Sequence, residues 1–484
     1  MLRMWNVRDR SVQDGTREAN GFPVAVEERT QPVRRVLVFT IVALALLMMS
    51  IDSTIVATVL HTLQHGLHTS INWAAWTITA YSFGFVLMLP ISGKLSEQHG
   101  HRTVFLGSVA VFTAASLCCG LVDNIYVLIA LRAVQAAGGA GFTPAATGII
   151  VDHFGDARDR AVSLFGSIFP TGAMIGPIFG GLFVSYWTWR DIFFVNVPIG
   201  LAVILLALRY APRDRPRVGT THTGMDVAGM ALLGAGLLAG MLAASYLGEK
   251  NAQGWSPEFL APLALATITL RLFFRHINGS AQPFIAPHLI YGPGFGAVNL
   301  VNVIFGGITT GVVALIPLYA TDRYSMGALE SGTLLTAQGA AAIVLAIVAA
   351  LALRRTGNRL PLYIGGAIIA AGVALLAVRP TVGFTPYAWL AGAAFVVGIG
   401  GGTVSPPSRN AGLQLAPEHS STLAALRTMG IQIGAIITVS IATAIVARSS
   451  DSGTVQAWFY VVAALVLAAG LPLITRVPEH HGSW

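Results

Sequence analysis

Lysine is almost missing from this chain. Lys94 and Lys250 are the only two, so the positive charge rests on arginine. That bias fits a GC-rich genome and says nothing of mechanism. Charge of either sign is scarce: 10% of the 484 residues are charged and 54% are hydrophobic. Soluble domains carry about 25% charged residues, so soluble fold classes are excluded, and the mean hydropathy of +0.69 agrees. Two cysteines, Cys118 and Cys119, stand side by side in an apolar run. They offer neither a disulfide framework nor a metal spacing. A Walker-type phosphate loop is missing too, which sets aside an ATP-driven pump. The net charge of +8 comes from arginines clustered at the ends of apolar runs. There they act as topology signals, so no nucleic-acid partner is implied.

What is present is a series of apolar runs of spanning length, each broken by Gly, Pro or charge. The expected spans are 36–59, 73–92, 103–121, 125–151, 161–187, 192–210, 226–247, 259–277, 294–320, 329–353, 360–378, 385–404, 421–447 and 454–475. This is an all-α polytopic membrane protein with about fourteen helices. The first run follows a long polar segment without a small-residue cleavage pattern, so it is expected to stay as the first helix. Residues 1–33 mix Arg, Glu, Asp, Gly and Pro without periodicity and read as a disordered tail. Arginines crowd that tail, with Arg34 and Arg35 directly after it, and alternate loops carry Lys94 and Arg102, Arg158 and Arg160, Arg354, Arg355 and Arg359, and Arg409. The opposite loops hold single cations such as Arg190 and Arg323. Positive loops stay inside, so both termini are expected in the cytoplasm and the chain in the cell (inner) membrane.

Asp52 is the only charge in its apolar run, Val36 to Val59. An ionisable group inside a span marks a functional site by default. Arg132 lies inside another span, followed by Gln135. Counted from the helix ends at 1.5 Å per residue, Asp52 is roughly 24 Å from the cytoplasmic edge and Arg132 roughly 10 Å from the outer one. In a core of about 30 Å these are similar depths.

Several segments carry a family resemblance. Asp52-Ser53-Thr54-Ile55-Val56 is similar to a first-helix motif, an acid followed by x-Thr-Ile-Val, with Ala57 where Asn is usual and His61 where Pro is usual. Gly93-Lys94-Leu95-Ser96-Glu97-Gln98-His99-Gly100-His101-Arg102 resembles Gly-x-Leu-Ala-Asp-Arg-x-Gly-Arg-Lys, with Glu97 for Asp and Gln98 for Arg. A short basic turn, Arg354 to Arg359, faintly repeats it. Leu131 to Gly139 resembles a fourth-helix motif built on a buried arginine. Gly172-Ala173-Met174-Ile175-Gly176-Pro177-Ile178-Phe179-Gly180-Gly181 matches the Gly-Pro-x-x-Gly-Gly signature of antiporters. Trp189-Arg190-Asp191-Ile192-Phe193-Phe194-Val195-Asn196-Val197-Pro198-Ile199-Gly200 is a near match to Trp-Arg-x-Ile-Phe-x-Asn-x-Pro-x-Gly. Together these resemble the major facilitator superfamily, in its fourteen-helix drug:proton antiporter branch (EmrB/QacA type).

The resemblance implies two six-helix bundles, 34–217 and 293–476, with two additional helices and a linker at 218–292 and a short cytoplasmic tail at 477–484. It implies a transporter rather than an enzyme, with proton-in, drug-out exchange by alternating access. Asp52 and Arg132 would couple the proton. Gly93, Glu97, Gly100 and Arg102 would gate conformational change. Gly172, Gly176, Pro177, Gly180 and Gly181 would form the antiporter helix motif. Asp226, opening the seventh span, reads as an N-cap.

Trp76, Tyr81, Gln135, Asn299, Asn302, Gln338 and Gln432 are the candidate substrate-cavity residues, since aromatics and amides suit an adaptable apolar pocket. The scarcity of further embedded acids points toward neutral, monocationic or amphipathic cargo. The energy source expected is a proton gradient, with no cofactor and no metal. Expected partners are small-molecule substrate, protons and membrane lipid, with a periplasmic adaptor where the source has an outer membrane. Rival readings are a dedicated exporter of one metabolite, such as an antibiotic or siderophore, and a membrane-embedded enzyme or receptor. His61, His65 and His68 could share a helical face, but they fall in an expected outer loop with no carboxylate nearby.

Overall fold

A computed structural model of the chain describes residues 35–69, 71–214, 226–247, 253–380, 383–446, 449 and 451–479. The expected tail at 1–33 lies outside them. With no water in a bilayer core, every backbone group must be paired within its own segment. The apolar runs accordingly form helices, and the described residues contain no strand.

Fourteen long helices follow in order. They are α1 (Arg35–Thr58), α2 (Ile71–His99), α3 (His101–Leu121), α4 (Ile125–His153), α5 (Arg158–Tyr186), α6 (Asp191–Tyr210) and α7 (Val227–Leu247). Then come α8 (Pro257–Gly279), α9 (Phe295–Tyr324), α10 (Ala328–Thr356), α11 (Arg359–Ala377), α12 (Pro386–Leu413), α13 (Ser420–Val446) and α14 (Ser452–Gly470). Thirteen stretches of the described residues are long and apolar enough to span a bilayer. The 29-residue α5 packs among them as the fourteenth long helix.

α1–α6 and α9–α14 form two six-helix bundles. α7 and α8 pack on one another as an added pair, and α7 also rests on α2 and α13. The bundles meet where α2 packs on α13 and α5 packs on α10 and α12. Side chains such as Leu205, Leu465 and Val462 stay well exposed on the outside, as lipid-facing residues should. We call the end where α1 begins the basic end.

Three local features depart from expectation. The stretch after α1, expected as a loop, includes a short helix, Leu60–Gly66. In α9 the residues Asn302–Ile308 adopt π-helical hydrogen bonding. α12 runs on to Leu413, past the expected end at 404, with Pro406 and Pro407 inside the helix. Packed neighbours let a membrane helix tolerate such prolines. Arg409, expected in a loop, is therefore inside a helix and only 7% exposed.

Asp226 caps α7 as expected, accepting the Gly229 N–H at 2.8 Å. It also pairs with His276 of α8 at 2.8 Å and accepts the Phe284 N–H at 3.0 Å, tying the added pair to the linker after it.

Candidate functional site

Asp52 is buried in the first bundle, and its side chain is fully enclosed. An isolated carboxylate there would be very costly, so the surrounding helices must supply donors. They do. Arg132 of α4 donates through Nη1 to Asp52 Oδ2 at 2.7 Å. Gln135, one turn further along α4, donates to Oδ1 at 3.0 Å, and Asn196 of α6 donates to the same oxygen at 2.8 Å. Three donor groups from two helices thus converge on one carboxylate carried by a third.

A further layer holds these groups in place. Arg132 also donates to Gln135 Oε1 at 2.6 Å, and Gln135 donates to Ser116 Oγ of α3 at 2.7 Å. The guanidinium carbon of Arg132 sits 4.2 Å from the Tyr81 ring centre and 5.6 Å from that of Phe193. Cations are attracted to ring faces, most strongly when desolvated. The Tyr81 hydroxyl is buried with no hydrogen-bond partner, so this residue meets Arg132 through its ring face.

The glycines of α5 explain how α1 comes to lie so close. A Cβ on Gly172 would strike Ser50, and one on Gly176 would strike Thr54. These two residues flank Asp52 on α1, so the small-residue face of α5 rests on the turn that carries the acid. Small residues permit such close approach in membranes. Gly180 is buried on the same helix, which also contains Pro177 and Gly181.

The stretch 93–102, expected as a turn, is the last part of α2, Gly100 and the start of α3, and it lies at the basic end where the bundles meet. A Cβ on Gly93 would strike Ala425 and the backbone of α13. Glu97 accepts the Thr422 N–H at 3.0 Å, in the first turn of α13, and contacts His419 at 3.4 Å. A carboxylate at a helix N-terminus is favoured by the helix dipole. Gly100 has φ +94°, a conformation open to glycine, and directs the chain into α3. Arg102 stays within its own bundle. Its backbone N–H donates to Asp214 at 2.8 Å and its guanidinium to the Leu208 carbonyl at 2.7 Å.

More polar contacts cross between the bundles here. Ser421 bonds His101, Ser96 and the Pro144 carbonyl, and Asn410 donates to Ser163 at 2.9 Å. Arg354 lies 4.0 Å from Asp159. All of these bonds between the bundles sit at this end.

The candidate cavity residues do not form one group. Tyr81 and Gln135 belong to the Asp52 cluster. Trp76 is half-buried on α2, tilted against Phe83 at 6.4 Å. Gln338 on α10 and Gln432 on α13 are half-buried. Asn299 and Asn302 line a pocket in the second bundle, and Asn299 also donates to the Leu289 and Ile290 carbonyls at 2.9 Å.

Sequence reasoning did not single out Asn196, Ser116 or Phe193. Asn196 stood in a recognisable motif, as its one amide side chain, which was the available signal. Ser116 gave none, because a serine in an apolar helix usually bonds its own backbone.

Comparison with known proteins agrees with this architecture. The sequence model of the Major Facilitator Superfamily matches residues 42–437 and 300–483. The chain is 30% identical over 436 residues to the methylenomycin A resistance protein of Streptomyces coelicolor, covering 89% of each chain. It is 28% identical over 401 residues to a multidrug resistance protein B homolog of Mycobacterium tuberculosis, covering 81% of this chain and 73% of that one. It is 32% identical over 339 residues to the cephamycin export protein CmcT of Amycolatopsis lactamdurans, covering 69% and 68%. The crystal structure of the human organic anion transporter MFSD10 (TETRAN) superposes with a TM-score of 0.67 at 13% identity, covering 92% of this chain and all of that one, a likeness of fold alone. The chain belongs to the Major Facilitator Superfamily, and it is a membrane transporter rather than an enzyme.

Proposed function

We propose that this protein exports drugs or other amphipathic small molecules in exchange for protons, with Asp52 as the proton carrier. The observation that carries this reading is the enclosed Asp52–Arg132 pair at 2.7 Å. Desolvation disfavours an ionised carboxylate, while a neighbouring guanidinium and hydrogen-bond donors favour it. A rocking motion that separates Arg132 or Asn196 from Asp52, or admits water, changes that balance and loads or releases a proton. The relatives named for drug resistance and antibiotic export support the efflux direction. One charge crossing the membrane is worth about 2.3 kcal/mol per 100 mV, so a single proton is a useful driving force.

In this reading the basic end faces the cytoplasm, both termini lie there, and the protein sits in the cell membrane. The contacts around Glu97, Ser421 and Asp159 then close the cytoplasmic side, leaving a state that opens outward. Where the source has an outer membrane, a periplasmic adaptor would complete the export route. A dedicated exporter of one antibiotic or similar metabolite fits the same geometry and the same relatives.

The test is dye efflux from cells expressing the chain, with and without an uncoupler, paired with pH-driven transport in vesicles. Uncoupler-sensitive efflux that is lost in Asp52→Asn supports the proposal. Proton-driven transport that survives Asp52→Asn unchanged removes Asp52 from the carrier role.

A further inference from the structure

Arg409 of α12 and Arg427 of α13 line one pocket in the second bundle, together with Asn299, Asn302, Ser408 and the α13 wall at Leu423 and Ala424. Arg409 is nearly fully buried, and Arg427 donates to Ser408 Oγ at 3.2 Å. Among the described residues neither arginine has a carboxylate within ion-pair distance, although Arg132 and Arg354 do. The Nε atoms of both arginines and Oδ1 of Asn302 are buried with no hydrogen-bond partner. Buried charges are normally paired, because an uncompensated one is strongly destabilising. Two like charges around one pocket compound the cost. An incoming negative group would relieve it.

Two further observations point the same way. The π-helical segment of α9 begins at Asn302, in the pocket wall, and such segments frequently mark functional sites. The pocket also lies against the seam between the bundles. The Arg409 guanidinium is 5.8 Å from the ring centre of Phe165 on α5, and the next residue, Asn410, bonds Ser163 of the same helix. The pocket therefore lies beside the basic-end contacts that join the bundles.

We propose that Arg409 and Arg427 bind the anionic group of a transported compound, so that the cargo includes amphiphiles bearing a carboxylate, phosphate or sulfonate. The proposal rests on the transport reading above and names a substrate class for it. It assigns the two ends of the exchange to different bundles: the proton to Asp52 in the first, the anion to the arginine pair in the second. Arginine suits this task because its planar fork matches carboxylate and phosphate geometry. The scarcity of embedded acids, which pointed toward amphipathic cargo without several positive charges, is consistent with it.

The test uses the full-length protein purified in a neutral maltoside detergent. Thermal unfolding is titrated at constant ionic strength with 2-naphthoate and with its uncharged analogue, N-methyl-2-naphthamide. Wild type should bind the carboxylate at least about tenfold more tightly than the amide, the scale of one charge-assisted hydrogen bond. Inorganic phosphate should compete with it. Arg409→Gln and Arg427→Gln should each remove most of that preference and leave amide binding within about twofold. Equal affinity for the two compounds in wild type overturns the proposal, as does a parallel loss of both in the variants. If the glutamine variants do not fold, Arg409→Lys and Arg427→Lys keep the charge. They should retain a reduced preference for the carboxylate, and its complete loss counts against a charge-reading site. Stabilisation by added phosphatidylglycerol, with none by naphthoate or phosphate, would make the pocket a lipid headgroup site and overturn the cargo assignment. Anion preference with uncoupler-insensitive efflux would defeat proton coupling alone. Uncoupler-sensitive efflux without anion preference would defeat this site alone.

Discussion

At the scale of single residues, the Asp52 cluster divides its labour by chemistry. Arg132 contributes charge, while Gln135 and Asn196 contribute direction, and each holds the carboxylate by a donated hydrogen bond. Leaving a buried polar group short of a partner costs about 1–3 kcal/mol. Asn196→Ala should therefore lower Tm and slow vesicle transport without abolishing it. Arg132→Ala should do more, because breaking a buried pair costs about 3–5 kcal/mol. Its effect should appear as a lowered Tm as well as lost transport. A Tm and a transport rate of Asn196→Ala that both match wild type would show that this amide does not hold Asp52. Asp52 and Arg132 were legible in the sequence because a charge in an apolar run has few bland explanations. Asn196 and Ser116 were not, because uncharged polar side chains are common in membrane helices and only the packing of α3 on α4 and of α6 on α1 reveals which of them face the acid.

At the scale of elements, glycine positions separate packing from tolerance. Gly176 faces Thr54 at close approach, whereas a Cβ on Gly107 of α3 meets nothing within 4 Å. Gly176→Val should lower Tm and transport together, since overpacking costs about 1–3 kcal/mol. Gly107→Ala should be neutral or stabilising by up to about 1 kcal/mol, the helix-propensity difference. Equal tolerance at both sites, read by thermal unfolding, would mean that α1 and α5 are not held by this seam.

The added pair α7–α8 gives a second element-scale prediction. Burial works to raise the Asp226 carboxyl, but the Gly229 amide, His276 and the Phe284 amide outweigh it and hold it below the usual range. A depressed folded value means the stabilisation is complete above the unfolded value of about 3.9 and lost as pH falls through the folded one. Asp226→Asn should thus lower Tm at pH 7, and the difference from wild type should shrink in acid below about pH 4. A difference constant down to pH 3 would locate the effect elsewhere. Spanning runs made the helix count readable from the sequence. The interior prolines of α12 and the π segment of α9 were not readable, because backbone breaks inside a packed bundle are compensated by neighbours that a linear sequence does not identify.

At the scale of the whole molecule, exchange requires that the two bundles close one end at a time, and the basic end shows how closure is held. Glu97 joins α2 to the first turn of α13 through the Thr422 amide and His419, and Gly93 lets the backbones approach there. The contact combines a hydrogen bond with the attraction of a carboxylate for a helix N-terminus, a favourable effect of about 0.3–1 kcal/mol when exposed and up to about 2 when partly buried. Glu97→Gln keeps the shape and loses the charge. Between two conformations separated by a few kcal/mol, a loss of 1–2 kcal/mol changes the ratio of states by roughly five- to thirtyfold. Spin labels at His99 and Arg355, exposed on α2 and α10 at the basic end, would report the change in a background where Cys118 and Cys119 are serine and transport is retained. The distance distribution of Glu97→Gln should gain a longer component at the expense of the short one, and labels at the opposite end should shift the other way. An unchanged distance distribution in Glu97→Gln would show that the remaining cross-bundle bonds, from Ser421, Asn410 and Arg354, hold the basic end shut without it.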